Sequence, residues 1–259
     1  MDFGLWIVSI KITRFRDSMS MSDQKEYNTV VTDNIQRTYN VISIRAQKPE
    51  GLDYQPGQCV KLSISSQNGE VSRFLSFSSS PSEPFIEFTK KISESDFSKA
   101  FSGLKAGDPI TFRGPAGCLV YEGEFPKVTF IAGGIGITPI RSIIRHTTDK
   151  EIFTDRVLLY ANRTEKDIAF REELDHIAKE DPTFRIQHII EKPSADWKGP
   201  QGLISESMIK DMAPDILKGK IYICGSPPFV SCIETDLRAL GATEDQIVIE
   251  ELSGYESLL

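Results

Sequence analysis

The sequence predicts two domains: an antiparallel β-barrel, then an α/β domain built on a parallel sheet. Three observations predict it. Residues 27 to about 121 hold short β-branched and aromatic runs broken by turn residues, with no long helical stretch. After Phe125–Pro126, apolar strands alternate with segments of helical spacing. The 259 residues exceed one minimal domain and suit two separate cores.

Residues 1–26 are set apart as an N-terminal extension, expected to be poorly ordered. Its apolar run, Phe3 to Ile10, falls far short of the roughly 20 residues that span a bilayer. Its basic residues follow the apolar run and Asp2 precedes it, the reverse of a signal peptide. The barrel is assigned to residues 27–124, with strands VVTDN, YNVISIRA, CVKLSIS, RFLSFSS and FIEFTKKI. KPEG, QPG, QNGE and SEP turn the chain between them, and one helix is expected from Phe97 to Leu104. The α/β domain is assigned to residues 125–259. Its strands are VTFIAG, VLLYA, FRIQHII, KIYICG and QIVIEE, and ITPIRSIIRH and FREELDHIAKE read as helices. The boundary from Glu122 to Lys127 is short, which predicts two domains packed firmly together.

Composition narrows the class. A 39% apolar and 26% charged chain is an ordinary globular protein. Its net charge of −7 argues against a nucleic-acid partner. Cys59, Cys118, Cys224 and Cys232 form no CxxC pair, and His146, His176 and His188 are widely separated. No metal site, bis-histidine haem or resident iron–sulfur cluster is expected, and a reduced, cytoplasmic setting is the simpler reading. No membrane span is expected either.

The order of the motifs carries the chemistry. RFLSFSSSP comes first, then GPAG, AGGIGITP and CGSPP. Arginine grips phosphate through a planar fork of donors, and glycine lets backbone amides approach a diphosphate. AGGIGITP lacks the sixth-position glycine of the usual dinucleotide fingerprint, but Thr138–Pro139 opens a helix whose free amides suit a diphosphate. Gly133, Arg163, Glu191 and Cys224 all follow predicted strands, so they line one edge of the parallel sheet, where ligands bind. A phosphate grip in each half predicts a flavin placed against a nicotinamide.

From about Tyr27 to Ile249 the chain resembles the ferredoxin–NADP reductase superfamily, most of all its NADH-dependent cytochrome reductases. The family's Arg-x-Tyr-Ser/Thr motif falls on Arg73, Leu75 and Ser76. The resemblance implies that Arg73 holds the flavin diphosphate and that Ser76 hydrogen-bonds the reactive ring edge. Leu75 replaces the usual tyrosine, so ring stacking becomes an aliphatic contact. Ser98 matches a phosphate-contacting serine, and Ser95 stands where a glycine is usual. Gly114 and Gly117 match the turn beside the flavin; Thr89 and Lys91 match positions approaching it. Gly133, Gly134, Gly136 and Thr138 match the nicotinamide-nucleotide turn. Cys224 and Gly225 match the Cys-Gly-x-Pro motif, with Cys224 positioned against the nicotinamide. Glu191 falls where NADH-preferring relatives carry an acid that meets ribose hydroxyls, with Arg163 and Lys192 beside it. Tyr255 in the tail is expected to cover a flavin face.

The resemblance therefore implies an FAD-containing NAD(P)H oxidoreductase, NADH favoured and FMN less expected than FAD. Electrons pass to a separate redox protein: a cytochrome, ferredoxin, flavodoxin or oxygenase component. The alternatives are a flavin or quinone reductase with a diffusible acceptor, and a non-enzymatic regulatory subunit, which Leu75 favours.

Overall fold

The computed structural model describes residues 24–252 except 118, 124 and 153. Of the extension assigned to residues 1–26 and expected to be poorly ordered, residues 1–23 lie outside the described residues, as does Tyr255 with its expected role, while Glu26 already belongs to a strand. Six strands form the first sheet: β1 Glu26–Thr38, β2 Val41–Gln47, β3 Cys59–Ser66, β4 Gly69–Ser76, β5 Phe85–Lys91 and β6 Pro109–Ala116. Their order is β4-β3-β6-β1-β2-β5, and every pairing is antiparallel. Period-two alternation explains why the sheet curls around a core. On β3, Val60, Leu62 and Ile64 are buried, while Lys61 and Ser63 between them are half-exposed. Helix α1, Asp96–Gly103, buries Phe97 and Phe101 against this core and packs on β3 and β4.

The edge strands β4 and β5 do not pair along their length. They meet at a single bridge between Phe77 and Phe88, beside the Ser78 N–H that donates to the Glu87 carbonyl (2.8 Å). Beyond that bridge the barrel is left with a seam between β4 and β5.

The second sheet contains β7 Lys127–Gly133, β8 Asp155–Asn162, β9 Phe184–Ile190, β10 Lys220–Gly225 and β11 Ile247–Glu251. All pairings are parallel, in the order β11-β10-β7-β8-β9. Helices α2 Ile137–Asp149, α3 Arg171–Glu180, α4 Glu206–Met212 and α5 Pro227–Leu240 complete this half. β7 is central and buried on both faces, so its apolar run is nearly continuous. Phe130 joins the core shared with α2 and α3, and Ile131 joins the core on the opposite face.

The two halves share packing. Val41 of β2 and the connecting residues Leu119 and Tyr121 belong to the same core as α2 and β7. The Tyr222 hydroxyl donates to the Val120 carbonyl (3.3 Å). A side chain at Gly57 would run into the Leu119 carbonyl oxygen at 1.9 Å. The connection is thus held from both sides, as its brevity predicts.

Candidate active site

Arg73 and Leu75 project from one face of β4 by alternation, as do Val71 and Phe77. Leu75 is buried in the barrel core at 8% exposure; Arg73 is exposed. On β5, Ile86 and Phe88 fill the same core, and the next residue on their face is Lys90. β4 and β5 are antiparallel at their bridge, so Arg73 and Lys90 lie toward the same end of the seam. Burial, and then the Arg73 charge, push the Lys90 amine down to about 8. Two like charges at one end of the seam, one of them buried with its amine donating to the Lys91 carbonyl (3.0 Å), fit an anion, and a diphosphate matches a seam bordered by both.

The sequence reading names Thr89 and Lys91 on this strand as positions approaching the cofactor. The structure brings Lys90, rather than Lys91, beside Arg73. Thr89 lies on the opposite face, where its hydroxyl meets those of Ser43 (2.7 Å) and Ser78 (2.8 Å). Lys91 shares that face by alternation and is half-exposed. One signal in the sequence could have found Lys90: it is a lysine in register with Ile86 and Phe88, a face that otherwise points inward.

Helix α1 begins at the same end of the barrel. Ser98 is fully buried, its hydroxyl bonded to those of Ser93 (2.9 Å) and Ser95 (3.1 Å). Ser95 is the N-cap and accepts from the Ser98 N–H (3.3 Å). The serine that replaces a glycine therefore occupies one amide that an anion could otherwise use.

Ser76 is buried at the end of β4, paired in register with Cys59, which is also paired with Ala116 of β6. Gly114 lies near the end of β6 and Gly117 directly follows it. Gly117 has φ +103°, and a Cβ there would sit 3.2 Å from the Cys59 sulfur. Ser76, Cys59 and the GPAG turn are thus one contiguous patch.

In the second half, Gly133, Arg163, Glu191 and Cys224–Gly225 lie at the carboxyl ends of β7, β8, β9 and β10. Gly133 and Gly134 begin the turn into α2, and Gly136 ends it. A Cβ at Gly136 would come within 2.2 Å of the Cys224 carbonyl oxygen, so this turn packs directly on the cysteine. The Phe229 ring lies against both Gly133 and Gly225. Thr138 is buried in the first turn of α2, its hydroxyl donating to the Ile135 carbonyl (3.2 Å). Arg163, Glu191 and Lys192 are exposed at the sheet edge. They are tied through the backbone: the Glu191 N–H donates to Asn162 (3.0 Å) and the Lys192 N–H to Arg163 (2.8 Å).

Glu250 is a residue the sequence reading missed. It sits in register with Cys224 on β11, and its Oε2 is sealed with no hydrogen-bond partner among the described residues. Burial pushes its carboxyl up to about 8, so it is protonated at neutral pH and able to donate a hydrogen bond. Alternation along β11 offered no hint of this, because the strand reads simply as an edge.

The oxidoreductase FAD-binding domain pattern matches residues 28–121, and the oxidoreductase NAD-binding domain pattern matches residues 130–235. The chain is 35% identical over 232 residues to NADH-cytochrome b5 reductase 1 of Aspergillus terreus, covering 84% of this chain and 78% of that protein. It is 31% identical over 216 residues to the glycine betaine monooxygenase reductase subunit of Chromohalobacter salexigens, covering 80% of this chain and 59% of that one. In structure it is similar to the FAD/NAD-binding domain of nitric oxide dioxygenase from Vibrio cholerae. That match has a TM-score of 0.79 and 26% identity, and covers 87% of this chain and 98% of the other.

Proposed function

The chain belongs to the ferredoxin–NADP reductase superfamily, a flavoprotein reductase using FAD and NAD(P)H, and on that premise we propose which of its residues hold each cofactor and what receives the electrons. When bound, FAD supplies the redox chemistry: it takes a hydride from NAD(P)H and returns the electrons to a protein acceptor.

The observation that carries the residue assignment is the buried Lys90 amine beside Arg73 at the open seam. Arg73 and Lys90 would neutralise the flavin diphosphate, with Ser98 and the amides of α1 beside them. Ser76 would offer a hydrogen bond to the ring edge, and Gly114 and Gly117 would let the chain turn beneath it. Leu75 supports the site from the barrel core. In the other half, Gly133, Gly134, Gly136 and Thr138 would receive the nicotinamide dinucleotide at the start of α2. Cys224, Gly225 and the neutral Glu250 carboxyl would shape the nicotinamide end. Glu191 would meet the adenosine ribose, which favours NADH, with Arg163 and Lys192 available to a ribose phosphate. No general base is needed, so the protein's contribution is orientation and the exclusion of water. Residues 27–124 form the flavin domain and residues 125–259 the nicotinamide domain in this reading, with Tyr255 left to the tail beyond the described residues.

The acceptor we infer is a separate one-electron redox protein, of the cytochrome or oxygenase-component kind. The names of the two similar proteins, a cytochrome b5 reductase and a monooxygenase reductase subunit, support it. Among the described residues no group of three or more histidine, cysteine or acidic side chains is placed to hold a metal ion. A reducing, cytoplasmic compartment is the location we infer, because Cys59, Cys118, Cys224 and Cys232 form no CxxC pair in the sequence. Among the described residues no helix is long and apolar enough to cross a membrane.

The test is an absorbance spectrum of the purified chain before and after anaerobic NADH, followed by chromatography of the acid-released cofactor. A bound yellow chromophore that NADH bleaches, released as FAD, is the expected result. A colourless protein that cannot be loaded with FAD would overturn the reading. Turnover of NADPH with the higher kcat/KM would reverse the roles of Glu191 and of the Arg163–Lys192 pair.

A further inference from the structure

The connection between the halves is built around one side chain that no motif includes. Arg141, on α2, is only 3% exposed. Its guanidinium has five N–H donors, and each finds an acceptor. Nη1 donates to the Ser78 carbonyl (2.8 Å) and to Glu83 Oε2 (2.6 Å). Nη2 donates to Glu83 Oε1 (3.0 Å) and to Glu173 Oε1 (2.6 Å), and Nε donates to Glu173 Oε2 (3.2 Å). Both carboxylates are therefore held in bidentate pairs. Ser78 and Glu83 belong to the segment between β4 and β5, and Glu173 to α3, so one planar fork joins three elements from both halves.

What this fork joins matters more than how many bonds it makes. Ser78 lies two residues beyond Ser76, the last residue of β4. Arg141 lies one helical turn beyond Thr138, about 4.5 Å along the axis of α2. Arg141 thus ties the segment just beyond the flavin-motif strand end to the first turns of the nicotinamide helix. The neighbouring Ser142 hydroxyl repeats the link by donating to the Ser79 carbonyl (2.6 Å). Phe170 reinforces it from the side: its ring lies 4.7 Å from the Arg37 guanidinium and 5.5 Å from that of Arg141. Phe170 also holds a left-handed backbone, φ +59°, unfavourable for a bulky residue and kept only where its surroundings demand it.

We propose that Arg141 is a positioning residue for hydride transfer: it fixes the strand end at Ser76 against the helix start at Thr138, and takes no part in binding either cofactor. The proposal rests on the assignment of Ser76 and Thr138 to the two cofactor ends. Its physical basis is the steep dependence of such reactions on approach, where a misplacement near 1 Å costs about a hundredfold in rate.

The experiment uses the full chain with its flavin and the variants Arg141→Met, Arg141→Lys and Ser142→Ala. Rapid anaerobic mixing with NADH gives the limiting rate of flavin reduction and its half-saturating NADH concentration. Arg141→Met should lower the limiting rate by about a hundredfold, with flavin occupancy and half-saturation little changed. Arg141→Lys, which restores the charge and part of the bonding, should recover some of that loss. A second readout needs no cofactor: in flavin-free protein, amide hydrogen exchange over residues 78–83 and 137–144 should quicken together in Arg141→Met. A limiting rate within about threefold of the parent overturns the proposal, as does a loss carried wholly by weaker NADH or flavin binding. If Arg141→Met does not fold, Ser142→Ala decides: a slower limiting rate supports the proposal and an unchanged one overturns it. A parent protein that NADH cannot reduce would instead refute the cofactor assignment, and the exchange result would still judge the coupling.

Discussion

Lys90 gives the sharpest test of the flavin site, because its charge state is poised. Its amine titrates near 8 in the free protein, lowered by burial and then by Arg73, against an ordinary value near 10.5. A diphosphate beside it would restore the charged form. Anion binding must then take up a proton wherever the amine is neutral before binding. At pH 7 about nine-tenths of the free protein is already charged, and at pH 9 about one-tenth is. FAD affinity should therefore fall by roughly tenfold between pH 7 and pH 9. Stability of the flavin-free protein should move the other way. The unfolded chain binds more protons between about 8 and 10.5, so this group adds stability as pH rises through that window and withdraws it as pH falls through 8. The assay is fluorescence titration of flavin-free protein with FAD at pH 7, 8 and 9, with riboflavin as the control that lacks phosphate. Lys90→Met should weaken FAD binding at pH 7 and flatten its pH dependence, leaving riboflavin unaffected. An FAD affinity equal at pH 7 and pH 9, or a slope that survives in Lys90→Met, would refute the placement of Lys90 against the diphosphate.

Three further outcomes are expected. Glu191→Thr should relax the preference for NADH over NADPH by about tenfold, read as the ratio of the two kcat/KM values, because it removes a carboxylate from the path of a ribose phosphate. Cys224→Ala should slow flavin reduction on the order of tenfold or more while leaving NADH affinity nearly intact, since the cysteine shapes the approach rather than the grip; an equal loss in both would make it a binding residue. Glu250, raised to about 8 by burial, stabilises the fold fully below its unfolded value near 4.5 and loses that contribution as pH rises through 8. Glu250→Gln should remove that decline, seen as a smaller fall in Tm between pH 6 and pH 9.

Much of this was legible in the chain, and the reasons are physical. Period-two alternation gives the β3 face of Val60, Leu62 and Ile64, and the unbroken apolar run of β7 gives a strand buried on both sides. The motif glycines were legible because close approach allows nothing larger, as at Gly136 against the Cys224 carbonyl. What escaped depends on partners distant in sequence. Lys90 becomes a site residue only because its strand faces β4 across an unpaired seam. Glu250 needs its register with Cys224, a pairing between segments 26 residues apart. Arg141 left a trace: residues 137 to 144 of α2 are all buried, so a lone arginine among them had to find acids elsewhere. Which acids, Glu83 in one half and Glu173 in the other, was a matter of folding rather than of spacing.

That buried cluster also separates stability from function in a way that can be measured. An exposed helical pair such as Lys210 with Glu206 contributes a few tenths of a kcal/mol, about what such pairs give anywhere. The Arg141 cluster is different, because three charges have been taken largely out of water. Removing one partner leaves an uncompensated buried charge and costs about 3–5 kcal/mol, yet replacing the whole cluster with well-packed apolar side chains is often neutral or stabilising. Such a cluster is poorly explained by stability alone. Its value lies in geometry: bidentate bonds fix distances and angles that apolar contacts leave loose. The triple variant Arg141→Leu, Glu83→Leu, Glu173→Leu should therefore keep or raise Tm, while flavin reduction by NADH slows well below the parent rate. Thermal melts and anaerobic rapid mixing on the same preparation measure both. If the triple variant transfers hydride at the parent rate, the cluster is mere packing, and the alignment of the two halves must be set by the apolar contacts of Leu119, Tyr121 and Val41 instead.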